Sequence, residues 1–389
     1  MKHFILSLTF LFSYISFSQI STTSQNTEIS IITIGPGNSL NDAFGHNGFR
    51  VKNDYIDVIY DYGRYNFEDP NFYTNFARGK LKYLMGKSRS KDVILSYKRQ
   101  NRSIKEQVLN LNENQKRELY RYLVNNNKPE NRAYLYDFFY DNCATKMRDV
   151  SESVLNSNIE YINPDVYKAE TFRTLIQNNL NWNSWGSLGI DIALGSVIDK
   201  KAEPREYMFL PENVFQFFEK AKFKGTDTPL VKKSKVIYTP TESYKKGNFL
   251  MSPIFILGLV GLFILWVTYK DNKKEKRSKW LDVSIFLITG VIGVFILLLW
   301  FATDHTATAF NYNLLWAFPF SLIVISQAYK TIAKRWFIKF IKLLIIMLCL
   351  MALHWIVGVQ RFAPALFPLA VALIVRYVYL IKFYKSQAQ

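Results

Sequence analysis

"FFYDNCATKMRDV", residues 138–150, sets a cysteine directly after an asparagine at the start of what reads as a helix, "CATKMRDVSESVL". Asn142 is a favoured N-cap residue, so Cys143 falls at the helix N-terminus. Unpaired amides and the aligned dipole there lower a thiol's pKa and favour the thiolate. An isolated cysteine is ordinarily a small buried hydrophobe. Here the only other cysteine is Cys349, inside the apolar "LLIIMLCLMALHW". A lone thiol in an exported domain has no evident partner and is open to oxidation, which favours a nucleophile over a packing residue.

Export is read from the N-terminus. "MKHFILSLTFLFSYISFSQ" has a basic start at Lys2, an apolar run of signal-peptide length, and Ser16-Phe17-Ser18 as a small-residue cleavage pattern. Residues 1–18 are therefore expected to be a signal peptide, the alternative being an uncleaved anchor. No cysteine follows it, so the chain is not itself a lipoprotein. From Leu250 onward five segments are candidates to span a bilayer: Leu250–Tyr269, Leu281–Phe301, Leu314–Tyr329, Leu343–Val359 and Ala363–Ile381. The loops "KDNKKEKRSK" and "KTIAKRWFIKFIK" are crowded with Lys and Arg, whereas "ATDHTATAFNYN" has neither. By the positive-inside rule the basic loops are cytoplasmic, and everything before Leu250 lies outside, where a signal peptide would deliver it.

The same asymmetry explains the net charge of +18. From Leu250 on there are 15 Lys and Arg against 4 acids, so about +11 belongs to the membrane half and its cytoplasmic flanks. The charge is thus a topology signal, and no nucleic-acid partner is expected.

In the exported half, "EISIITIGPG" alternates as a strand and stops at a turn, "GHNGFRVK" reads as a second strand and "YIDVIYDYG" as a third. "YDYGRYNFEDPNFYTNF" is dense in aromatics, which suits core packing or an acyl-chain groove. "NENQKRELYRYLVNNNKP" has helical spacing, "NRAYLYDFFYDN" is strand-like, and "LPENVFQFFEKAKF" is a helix with Pro211 in its first turn. "KGTDTPLVKKSKVIYTPTESYKKGN" reads as a polar tether to the bilayer.

A cysteine nucleophile needs a group to take and return its proton. Of four histidines, His3 leaves with the signal, His354 lies in a membrane segment, His305 lies in the outer loop, and His46 alone is in the soluble half. A third polar group would fix the imidazole tautomer. Asp57, Ile59 and Asp61 share a strand face by the two-residue period, so either carboxylate could lie beside His46. Asp61 is preferred, although spacing does not separate the two. One Cys and one His are too few for a zinc set, so no metal or other cofactor is expected.

The order "AFGHNGFRV", "YDYGRYNFEDPNF", "YLYDFFYDNCATKMRD", followed by several membrane helices, resembles the Lnb-type lipoprotein N-acyltransferase family. "WGSLGIDIALGSVID", "MFLPENV" and "DHTATAFNYNLLWAFP" extend the resemblance over most of the chain. It implies an α+β fold, a circularly permuted papain-like (NlpC-type) domain with His ahead of Cys, followed by an all-α transmembrane domain of about five helices. The order also resembles that of lecithin:retinol acyltransferase relatives, which pass an acyl chain through a cysteine thioester. The implied organisation is a signal peptide at 1–18, a periplasmic Cys/His acyltransferase domain at 19–224, a linker at 225–249 and a transmembrane domain at 250–389. Carried over by position, Cys143 is the nucleophile, His46 the base and Asp61 the orienting group, where relatives often have Asn. Asn142, Asp304 and His305 are candidates for contacting substrate.

The implied reaction moves an acyl chain from a phospholipid donor to the N-terminal amine of a diacylated lipoprotein acceptor. Its place is the bacterial inner membrane, multi-pass, with the catalytic domain on the periplasmic side. The alternatives are a periplasmic NlpC-type cell-wall peptidase or amidase, a lipid thioesterase, and a non-catalytic membrane partner that binds lipoproteins.

Overall fold

The computed structural model describes residues 26–241 and 248–387, so the expected signal peptide lies outside the described residues, as does part of the expected linker. The alternation of "EISIITI" forms β1 (Glu28–Ile34), with Ile29 and Ile31 on one face of a sheet and Ile32 and Ile34 on the other. β2 (His46–Lys52) and β3 (Asp57–Arg64) follow where the sequence predicts them. Then come α1 (Phe72–Ala77), β4 (Lys82–Arg89), α2 (Ser90–Arg99), β5 (Ile104–Leu109), α3 (Glu113–Asn126), β6 (Ala133–Leu135) and α4 (Cys143–Val154). β7 (Ile159–Glu160), α5 (Phe172–Gln177), α6 (Trp185–Ala193), α7 (Pro211–Lys220), β8 (Lys222–Phe223) and β9 (Val231–Tyr238) complete the soluble domain.

Seven strands make one antiparallel sheet in the order β6-β4-β3-β2-β1-β5-β9. Met147 and Val150 of α4 and Val214 and Phe217 of α7 pack with Ile31, Phe49, Val51 and Tyr60 on one face. Val93, Ile94 and Tyr97 of α2 cover Ile32, Ile34, Ile59 and Ile104 on the other. The fold is α+β, with the cysteine-bearing helix laid against the sheet and the histidine strand ahead of it in the chain.

Two expectations are corrected. The stretch read as a polar tether holds β9, which pairs with β5 from Ile104↔Tyr238 to Leu109↔Val231, so the domain runs on past 224. Its lysines mask a strand because the edge faces water: Lys232, Lys233 and Lys235 are exposed, as suits an edge strand. "NRAYLYDFFYDN" is strand only over Ala133–Leu135. Beyond it Asp137 and Asp141 exchange both backbone bonds and close a tight loop just before Cys143.

Four helices are long and apolar enough to cross a membrane: α8 (Pro253–Lys273), α9 (Lys279–Phe301), α11 (Arg335–Val357) and α12 (Leu366–Ser386). The fifth expected span, Leu314–Tyr329, is not a continuous helix. It is broken into 3₁₀ turns at Tyr312–Leu315 and Pro319–Ser321 and a short α10 (Ile325–Tyr329). It still runs the length of the bundle. Asn311 bonds the Ile192 and Ala193 carbonyls of the soluble domain, while at the other end the Ala328 and Lys330 carbonyls accept from Arg277.

Pro319 withholds an N–H, and the segment's backbone presses on the glycines of α9. A Cβ on Gly293 would sit 2.2 Å from the Ala317 carbonyl oxygen, and one on Gly290 would sit 2.9 Å from the Leu322 nitrogen. Irregular backbone is tolerated at such depth where protein covers it.

The basic segments gather at the end away from the soluble domain, where Lys279 meets Thr331 and Lys382 meets Asn272. Fully buried Arg376 ties this end together, bonding Asp282 at 2.7 Å and Asp271 at 2.7 Å. An Arg376→Met protein leaves two buried carboxylates short of a cation, an expected loss of about 3–5 kcal/mol. Thermal unfolding of the full chain in detergent checks this, and an unchanged midpoint would refute it.

Candidate active site

Strand register assembles the site. Gly48 on β2 lies opposite Asp61 on β3, and His46 is two residues along on the same face. A Cβ on Gly48 would come within 3.2 Å of the Asp61 Cβ and 3.0 Å of the Tyr60 carbonyl oxygen. The missing side chain leaves Asp61 free to lean toward His46, and Asp61 Oδ2 reaches His46 Nε2 at 3.0 Å. Asp57 is engaged elsewhere, accepting Arg50 Nε at 2.7 Å. Of the two carboxylates that spacing left open, Asp61 is therefore the one at the histidine.

Cys143 is the first residue of α4, and its thiol lies close enough to the His46 ring for each group to shift the titration of the other. With Nε2 on Asp61, Nδ1 is the nitrogen available to sulfur. The Asn47 amide, next along β2, also favours the charged form of the sulfur. Burial alone would push the thiol up, but the His46 charge, its hydrogen bond and the Asn47 amide outweigh this and hold Cys143 below its usual range. Burial would likewise push His46 down, and the Cys143 thiolate with the Asp61 carboxylate raises it well above 6.5 instead. For Asp61, burial opposes ionisation, and His46 and Arg64 more than compensate. The surroundings thus favour the thiolate of Cys143 and the imidazolium of His46 together, with the Asp61 carboxylate behind them.

Arg64 was not singled out in the sequence. Its Nε donates to Asp61 Oδ1 at 2.7 Å and its Nη2 to Ser88 at 2.8 Å, so it pins the carboxylate that faces His46. Arg64 is the third residue after Asp61, and two-residue alternation would put them on opposite faces. The register shift between Asp61 and Arg64 breaks that rule and brings the guanidinium back.

Asn142 is not available to substrate, contrary to expectation. Its Oδ1 accepts the Ala144 and Thr145 amides at 2.8 and 2.9 Å, and its Nδ2 donates to the Phe138 and Phe209 carbonyls at 2.7 and 2.8 Å. Every hydrogen-bonding site of the side chain is spent on holding α4 to its surroundings. Asn142→Ala should cost about 2 kcal/mol, from a lost cap and two unpaired buried carbonyls. A thermal midpoint unchanged from that of the native chain would refute this.

Asp304 and His305 contact the turn after α1 and not the Cys–His pair. The Asp304 N–H donates to the Arg78 carbonyl at 2.9 Å, and Gly79 packs on His305. The outer loop does reach the loop that precedes the cysteine, where Thr306 Oγ1 donates to Asp137 Oδ2 at 2.6 Å. The site therefore stands directly over the membrane-spanning helices. Among the described residues no cluster of His, Cys, Asp and Glu could hold a metal ion. A cleft lined by Tyr167, Glu170, Tyr207 and Phe217 has neither Cys nor His in its wall.

Residues 16–178 match the family model of the Lnb N-terminal periplasmic domain, and residues 245–387 match that of the Lnb transmembrane domain. No curated protein and no solved structure matches the chain.

Proposed function

The chain belongs to the Lnb family, and on that premise we propose that it is a lipoprotein N-acyltransferase of the bacterial inner membrane. It crosses that membrane several times and works on the periplasmic side. Cys143 thiolate adds to an acyl ester carbonyl of a phospholipid, the C–O bond to glycerol breaks, and the leaving oxygen takes the His46 proton. A thioester and a lysophospholipid result. The free α-amine of a diacylated lipoprotein's N-terminal cysteine then adds to the thioester, His46 accepts its proton, and the C–S bond breaks. The thiolate returns and the new amide completes a triacylated lipoprotein. Asp61, braced by Arg64, holds the imidazole and stabilises its charged form.

The observation that carries this reading is the Cys143–His46–Asp61 set at the start of α4. The amides after Cys143 are taken by Asn142 Oδ1, whereas no acceptor among the described residues holds the Cys143 N–H. That amide is placed to donate to a developing oxyanion. The Thr306–Asp137 contact sets the site against the outer membrane loop, which favours lipid substrates over cell-wall peptides. Tethering at the bilayer also raises the effective concentration of both lipids.

Full-length protein in phospholipid vesicles with a diacylated lipopeptide tests the reading. The expected outcome is one lysophospholipid formed for each lipopeptide that gains an acyl chain. Release of free fatty acid in place of the amide would identify a thioesterase.

A further inference from the structure

An aromatic run leads away from the nucleophile. Tyr136, at the mouth of the tight Asp137–Asp141 loop that leads into Cys143, stacks on Tyr83 at 4.2 Å. Tyr83 meets Tyr65 at 5.5 Å, and Tyr65 meets Phe67 at 5.0 Å and Phe72 at 5.7 Å. Phe72 begins α1 and is buried. Beyond it the rings turn outward, with Phe67 63%, Tyr73 77% and Phe76 55% exposed. Three such rings within ten residues form an apolar surface with nothing over it in the soluble domain.

The outer end of the membrane bundle lies beside this surface. α1 is capped by Arg78, whose carbonyl accepts the Asp304 N–H, and a Cβ on Gly79 would come within 3.0 Å of the His305 nitrogen. Asp304 closely follows Phe301, the last residue of α9, where Trp300 stacks on Phe301 at 4.7 Å and lies 5.3 Å from Phe310. Clustered aromatics at the end of a span mark the bilayer interface. Phe76 is two residues from Arg78, hence within about 7 Å of this level along the chain. Lys80 pairs with Asp304 at 3.5 Å, which ties the chain just after α1 to the outer loop.

We propose that α1 and the Tyr65–Phe67 turn dip into the outer leaflet, and that the ring run guides one acyl chain of a phospholipid donor to Cys143. This rests on the acyl-transfer reading and names the donor's route. A chain leaving the bilayer keeps apolar contact along the rings, where a bare path would expose its methylenes to water.

The test uses full-length protein in vesicles of phosphatidylethanolamine and phosphatidylglycerol, without acceptor. Intact mass follows thioester formation at Cys143, and the nitrophenol burst from p-nitrophenyl butyrate follows acylation by a water-soluble ester. In a Phe67→Ser, Tyr73→Ser, Phe76→Ser variant the ratio of lipid to short-ester acylation should fall at least tenfold. An unchanged ratio overturns the proposal. So does a defect confined to the second step, with thioester formed at the native rate, since the strip would then serve the acceptor.

Independently, p-benzoylphenylalanine replacing Phe76 should yield a lipid-mass adduct on irradiation in the same vesicles, and its absence overturns the membrane contact. A native protein acylated by neither donor would instead sink the acyl-transfer reading, while the cross-link still reports where α1 lies.

Discussion

A Cys143→Ala protein will insert and accumulate normally yet lose acyl transfer by roughly 10³-fold or more, because no thioester can form without the sulfur. The change removes one atom at a half-buried position, and the cap on α4 comes from the Asn142 side chain, which stays in place. Stability should hold while chemistry fails. Intact-mass spectrometry should find an acyl adduct, labile to hydroxylamine, on the native protein and none on the variant. Transfer at the native rate by a well-folded variant would mean that the sulfur is a packing atom.

Replacing His46 by Ala should cost nearly as much, since the proton must reach the leaving oxygen and later leave the amine through this ring. The sharper prediction concerns pH. Cys143 is held below its usual range and His46 well above 6.5, so the pH window in which thiolate and imidazolium coexist is widened on both sides. Rate should fall on the acid side as the thiolate takes a proton, and on the alkaline side as the imidazolium loses one. The two limbs belong to the coupled pair and not to either residue alone.

Asp61→Asn keeps an acceptor for the imidazole but removes a negative charge that raises His46 and also raises the thiol. Both limbs should therefore move to lower pH. A variant profile that superimposes on the native one would remove Asp61 from the site's electrostatics.

Much of the site was legible because the soluble half carries one Cys and one His. Strand periodicity placed a carboxylate face beside the histidine, but register, which spacing cannot supply, separates Asp61 from Asp57. Arg64 was hidden by a register shift that breaks the two-residue rule. Asn142 looked free because a cap's second pair of bonds, to the Phe138 and Phe209 carbonyls, depends on chain far away.

In the membrane half, hydropathy located each apolar segment and charge oriented them. Neither registers whether backbone is helical, so the break at Pro319 against Gly290 and Gly293 was invisible until packing was seen. The lysines of β9 misled for a related reason, since an edge strand is polar by composition while its backbone is fully paired on one side.

The most direct measurement is the mass of the N-terminal lipopeptide of a reporter lipoprotein, made in cells lacking any other N-acyltransferase and supplied with this protein. The account predicts one additional acyl chain on the amine with the native chain and none with Cys143→Ala at equal abundance. A reporter that keeps its free amine while the native protein is membrane-inserted would contradict it.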